Sequence, residues 1–193
     1  VSMTLNDWFA KGMTWDEYVA SMSTNRERMM GIYEQVKLER EEEEFFRQGA
    51  DLDWRVIVLT ADWCGDAMLC LPIFRKIAEA ARFEMSFLIR DENLELMDQY
   101  LTNGTSRSIP IFILIDREGR ERAVWGPRAP EVQALVDEVR ATLPPKDDPK
   151  FAEKQKEVYR GLKDRFCTDR RLWQFVKDDV RRKLEAAWQK QNG

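Results

Sequence analysis

Histidine is absent from this chain, which removes Ser-His and Cys-His catalysis and the commonest zinc sites. Any cysteine chemistry must therefore work without an imidazole base. Cysteine itself is sparse, at three in 193 residues. That is too few for a disulfide framework, and the odd number leaves at least one thiol free in a monomer. Both points agree with a reducing compartment, and the expected location is cytoplasmic. No run approaches the roughly 20 apolar residues needed to span a bilayer. The N-terminus lacks the basic start and continuous apolar stretch of a signal peptide, so no membrane partner is expected. A formal net charge of −4 gives nucleic acid no general electrostatic reason to bind. There is no internal repeat and no phosphate loop of the G-x-x-x-x-G-K-S/T kind. No metal and no cofactor is required by the residues present.

What the chain does have is enough apolar content, 44%, for one ordinary core, and one stretch that organises the rest. Thr60 to Pro72 reads TADWCGDAMLCLP. The β-branched run Val56, Ile57, Val58, Leu59 before it predicts a buried central strand. Asp66 is expected to cap a helix continuing through Met68, Leu69, Ile73, Phe74 and Ile77, so Cys64 is expected, uncovered, at a helix start. Unpaired N–H groups and the helix dipole there favour thiolate over thiol. The Asp66 carboxylate opposes them, because a nearby negative charge raises a thiol pKa. The residues leave open which effect wins.

Ala61-Asp62-Trp63-Cys64-Gly65 resembles the active-site entry of the thioredoxin family. Pro72, eight residues on, matches the proline that kinks the family's active-site helix. Ser108-Ile109-Pro110 before an apolar strand is similar to its cis-proline segment, and Gly126 falls at its groove glycine. The resemblance covers about residues 50 to 143, and the helical flanks resemble those of a bacterial thioredoxin-like family with a WCGD motif. It implies a cis Ile109–Pro110 bond that leaves Ile109 backbone groups free to pair with an extended peptide. Trp63 would wall that groove, with Asp66 beside it and Gly65 and Gly126 allowing close approach. The departures are equally plain. The family's second cysteine is replaced by Ala67, and the buried acid that assists it falls at Val58, so the usual two-cysteine cycle is closed to this motif.

Taken in order, the chain predicts short helices opened by Thr4 and by a Thr14–Glu17 capping box. A longer helix follows, opened by Thr24 and Glu27 and ending near Gly49, with its acidic middle, Glu39 to Glu44, in water. Its methionines and aromatics read as a core-facing stripe rather than a peptide groove. After the first strand and its helix come a strand over Phe83 to Ile89, a short helix over Asn93 to Leu101, a strand over Ile111 to Ile115, a turn at Asp116 to Gly119, a return strand over Glu121 to Trp125, and a helix from Pro130. The order is β-α-β-α-β-β-α. Crossover handedness predicts parallel early connections, and the tight turn makes the last pair antiparallel. This is an α/β, thioredoxin-like fold with a central mixed sheet and N- and C-terminal helical extensions.

Three prolines between Pro144 and Pro149 mark a linker. Two amphipathic stripes follow, Phe151, Val158, Tyr159 and Leu162, then Leu172, Val176, Val180, Leu184 and Trp188. Both are expected to pack on the outside of the central unit. The division is 1–49, an N-terminal extension; 50–143, the thioredoxin-like domain; and 144–193, a C-terminal extension on the same domain.

Cys70 lies six residues beyond Cys64, about 9 Å of helical rise, past the roughly 7 Å limit for a disulfide, and reads as a buried hydrophobe. Cys167 could reach Cys64 only if the tail's corner docks over it. The leading expectation is a monothiol exchanger: the Cys64 thiolate attacks a protein or low-molecular-weight disulfide, and an external thiol reductant resolves the adduct. The rival is a thioredoxin-fold binding or adaptor module without redox turnover, favoured by Ala67 and Asp66. A cluster-binding monothiol role is a weaker third reading, with only one convincing soft ligand present.

Overall fold

The structure, a computed structural model, describes residues 2–192, so the outermost domain limits, 1 and 193, lie outside the described residues. Four strands, β1 (Arg55–Thr60), β2 (Glu84–Ile89), β3 (Ile111–Ile115) and β4 (Glu121–Trp125), form one sheet in the order β2-β1-β3-β4. The element order through the sheet is the expected one. β1 pairs parallel with β2, but antiparallel with β3, with Leu59 opposite Ile111, so the second connection is not a parallel crossover. The reason is local. The helix after β2, α6 (Leu94–Met97), is a single turn, and the chain re-enters the sheet beside the end of β1 from which it left. The β3–β4 pair is antiparallel, as the tight turn requires.

Residues paired across the sheet share a face. Phe87, Val58, Phe112 and Trp125 form one such row, and helix α5 (Gly65–Ala81) lies over it. Phe74 of α5 stacks on Phe112 at 4.1 Å between ring centroids. Aromatics of α2 (Trp15–Ser21) meet the same row, with Tyr18 stacked on Phe87 at 5.3 Å. The opposite row, with Ile57 and Ser86, is covered by α1 (Leu5–Lys11), where the Ser86 hydroxyl donates to the Phe9 carbonyl at 2.6 Å. Ser86 and Leu88 are both buried, so both faces of β2 are covered. Met13 exchanges two backbone hydrogen bonds with Phe87, covering an edge that would otherwise invite intermolecular pairing.

The Thr4 cap and the Thr14–Glu17 box form as expected. The single long helix does not. It is broken into α3 (Arg26–Gln35) and α4 (Arg40–Arg47), and α3 begins at Asn25 in the left-handed region with no side-chain cap, so Thr24 does not open it. The break arises because Glu39 and Glu42 form their own capping box and Glu42 turns inward. Glu42 accepts from Lys177 at 3.0 Å and from Gln174 at 2.9 Å, on α9 (Arg170–Asn192). One glutamate of the acidic run is therefore a buried tie to the tail.

Helix α7 (Pro130–Arg140) and the tail helices α8 (Phe151–Thr168) and α9 complete the molecule. Both tail helices contact α5 and α7, and α8 also contacts α3. Val176, Val180, Leu184 and Trp188 of the α9 stripe are all buried, as are Leu162 and Phe166 of α8, and they join the same hydrophobic cluster as the sheet.

Candidate functional site

β1 ends at Thr60, and a short turn over Ala61 to Trp63 leads to Cys64. The N-terminal segment holds this turn: the Asp62 carboxylate accepts from the Ser23 N–H at 2.7 Å, and the Asp62 carbonyl from the Asn25 amide at 2.9 Å. Cys64 is the N-cap of α5, and its sulfur accepts from the Ala67 N–H at 3.4 Å. The thiol, not Asp66, is therefore the cap. Asp66 faces away to Arg128, which reaches it with Nε at 2.9 Å and Nη2 at 2.7 Å. Arg128 also holds Gln133.

The Ile109–Pro110 bond is cis, as the resemblance implied, and the Gly126–Pro127 bond is cis as well. The Cys64 thiol donates to the Ile109 carbonyl at 3.5 Å, and Ile109 and Pro110 are buried. That carbonyl accepts one hydrogen bond from the thiol, a weak donor. Gly126 has φ +126°, and a Cβ there would collide with the Pro110 carbonyl oxygen. Glycine is required at this point by close backbone packing. Trp63 is 50% exposed, with Arg90 over its ring.

The expected uncovered sulfur is not found: Cys64 is 8% exposed. Removal from water penalises the thiolate, and the Asp66 carboxylate adds to the penalty. Together they outweigh the Ala67 and Asp66 N–H groups and Arg128, and push the thiol up to about 11. Burial likewise pushes the Asp66 carboxyl above its ordinary value, with Arg128 and Arg140 offsetting part of the effect. Cys70 is buried and donates to the Pro127 carbonyl at 3.6 Å. Cys167 lines a different cleft with Arg28, Ile32 and Asp164, and all three cysteines are free.

A cleft of about 370 Å³ opens beside the sulfur, bounded by Trp63, Cys64, Gly65 and Asp66 on one side and by Tyr159, Leu162, Lys163 and Phe166 of α8 on the other. The tail thus lies across the motif, not merely outside the unit. The Lys163 stem is close enough that a Cβ on Gly65 would meet it at 3.3 Å. The structure brings Trp63, Cys64, Gly65 and Asp66 into this cleft, joins Ile109 to it through the sulfur, and sets Pro110 and Gly126 against each other behind it. Sequence reasoning missed Arg128, Arg140 and the α8 residues. Only Arg128, two positions after Gly126, carried a signal that could have found it. Among the described residues no cluster of His, Cys, Asp or Glu could hold a metal, and no helix is long and apolar enough to cross a membrane.

A mixed four-stranded sheet with a cysteine capping the helix that follows its first strand, beside a cis-proline, defines a thioredoxin-like protein. Over residues 12–140 the chain matches the family described as Thioredoxin, and it belongs to that family. No curated protein matches it. A protein of unknown function from Pseudomonas aeruginosa has a similar structure, with a TM-score of 0.68, 16% identity, and 96% of this chain and 99% of that chain covered. An HIV epitope-scaffold is similar at a TM-score of 0.56 and 14% identity, covering 91% and 99%. At these identities the likeness is one of fold.

Proposed function

We propose that this protein is a thioredoxin-fold binding module that does not turn over disulfides. The observation that carries the reading is the state of the Cys64 sulfur, which is buried, hydrogen-bonded to Ile109, and pushed up to about 11. An attacking thiol works through its thiolate, and at neutral pH almost none is present. Ala67, in place of a second cysteine, removes the group that would resolve an adduct. The α8 helix across the motif narrows access further. In this reading 50–143 carries the site, while 1–49 and 144–193 brace and roof it, and the WCGD motif with its helical flanks supports kinship with the bacterial group it resembles. A reducing, cytoplasmic setting suits three free thiols.

The second reading is monothiol exchange at Cys64 with a protein or small disulfide and an external thiol. It is favoured by one observation, the sulfur lying 3.5 Å from the Ile109 carbonyl beside the cis-proline. The two separate in a turnover assay. Reduction of insulin and of a glutathione mixed disulfide, with glutathione as reductant, should proceed no faster with the protein than with a Cys64→Ser variant. A Cys64-dependent acceleration of tenfold or more would reject the binding-module reading.

A further inference from the structure

We infer that the cleft beside Cys64 binds a small aromatic carboxylate. The inference deepens the binding-module reading and rests on it. The cleft, about 370 Å³, falls in the size range of small-molecule sites. Its floor is apolar, made by Val136, Leu162 and Phe166. Its rim carries Trp63 and Tyr159, two of the three exposed large hydrophobic side chains among the described residues. Outward-facing aromatics on both sides of one apolar recess are what a flat ring would stack between.

The charge of the cleft selects the other half of the ligand. Arg128 is neutralised by Asp66 at 2.7 Å. Arg140 of α7 and Lys163 of α8 also line the cleft, and among the described residues neither makes an ion pair or a side-chain hydrogen bond. Arg140 is near enough to act on the Asp66 carboxyl. Elsewhere along the tail Lys177 pairs with Glu42 and Arg181 with Glu41, and the other cations without an ion pair among the described residues, such as Lys156, Arg160 and Lys183, do not line the cleft. The one carboxylate lining the cleft, Asp66, is bonded to Arg128, so Arg140 and Lys163, from separate helices, leave the apolar recess with an excess of positive charge that a carboxylate ligand would balance. A peptide is a poorer fit, because α8 occupies the far side of the cleft and leaves no open groove for an extended chain.

The test uses the full chain and 2-naphthoate, compared with its neutral isostere 2-naphthylmethanol and the cation 2-naphthylmethylamine. Binding is read by calorimetry and by the NMR shift of the Trp63 indole N–H. 2-Naphthoate should bind saturably and move the Trp63 signal, the alcohol should bind about tenfold more weakly, and the amine more weakly still, since each loses the charge-assisted hydrogen bonds of the carboxylate. Arg140→Gln and Lys163→Gln, each outside the core, should weaken 2-naphthoate about fivefold, Lys190→Gln should not, and 0.5 M salt should lower affinity by screening. No binding of 2-naphthoate, equal binding of the alcohol, or insensitivity to both variants would each overturn the inference. If turnover at Cys64 is found, the binding-module reading falls on its own assay; if Cys64 stays inert and 2-naphthoate does not bind, only this inference falls.

Discussion

At Cys64 two familiar influences compete, and burial decides between them. A helix N-terminus stabilises a thiolate by a fraction of what desolvation removes when the sulfur is nearly covered and a carboxylate stands two residues away. The alkylation rate of Cys64 by iodoacetamide should therefore stay low through neutrality and rise toward about pH 11; a midpoint at or below about 8.5, the value of a free thiol, would contradict this. The folded state holds the proton more tightly than the unfolded one, so this stabilisation is complete below the ordinary value near 9 and is lost as pH rises through about 11. Asp66→Asn should move the alkylation midpoint down, because it removes a charge that opposes the thiolate while Arg128 stays. It should cost little in urea unfolding, because burial already disfavours the Asp66 charge and the neutral amide keeps an acceptor for Arg128. A variant with an unchanged midpoint would show that Asp66 does not act on the sulfur.

Between elements, the tie that most constrains the tail is Glu42 with Lys177, both side chains less than a tenth exposed. Burial works against the Glu42 charge, but hydrogen bonds from Gln174, the Glu39 N–H and Lys177 outweigh it and hold the carboxyl below its ordinary value. Removing one partner leaves a buried charge alone, so Glu42→Ala should cost about 3–5 kcal/mol, while Glu42→Leu with Lys177→Met should recover most of that. Urea denaturation of the single and double variants measures both. A single variant within about 0.5 kcal/mol of the parent would show the pair to be hydrated rather than buried. This tie also explains the error in the helix between Asn25 and Gly49. Adjacent glutamates read as a solvated face because nothing nearby in the chain marks one of them for a lysine 135 residues away.

At the scale of the molecule, most of the apolar residues of the N-terminal and tail helices belong to one cluster with the sheet, running from Trp8 to Trp188, while Phe151 and the exposed Tyr159 of the α8 stripe lie outside it. Trp188 of α9 packs on Phe45 of α4 at 5.3 Å between rings, and the Trp125 indole donates to Asp179 at 2.8 Å. Unfolding should therefore be a single transition, with tryptophan fluorescence and far-UV circular dichroism coinciding in urea. Separate transitions would show that the extensions fold apart from the 50–143 unit.

The strands, the turn at Asp116 to Gly119, the capping box at Thr14 and the cysteine at a helix start were legible because each depends on residues a few positions apart: β-branched runs, turn formers, a hydroxyl three residues before a carboxylate. The stripes of α8 and α9 were legible as faces that must be covered, but not in what they cover. Which helix roofs Cys64, which cation neutralises Asp66, which glutamate turns inward and whether the sulfur meets water all depend on partners brought together from far along the chain. Local pattern determined that a thioredoxin-like framework with a lone motif cysteine would form. Only the packed structure decided that this cysteine is a buried cap under the protein's own tail, because desolvation is a property of everything that surrounds an atom and not of its neighbours in sequence.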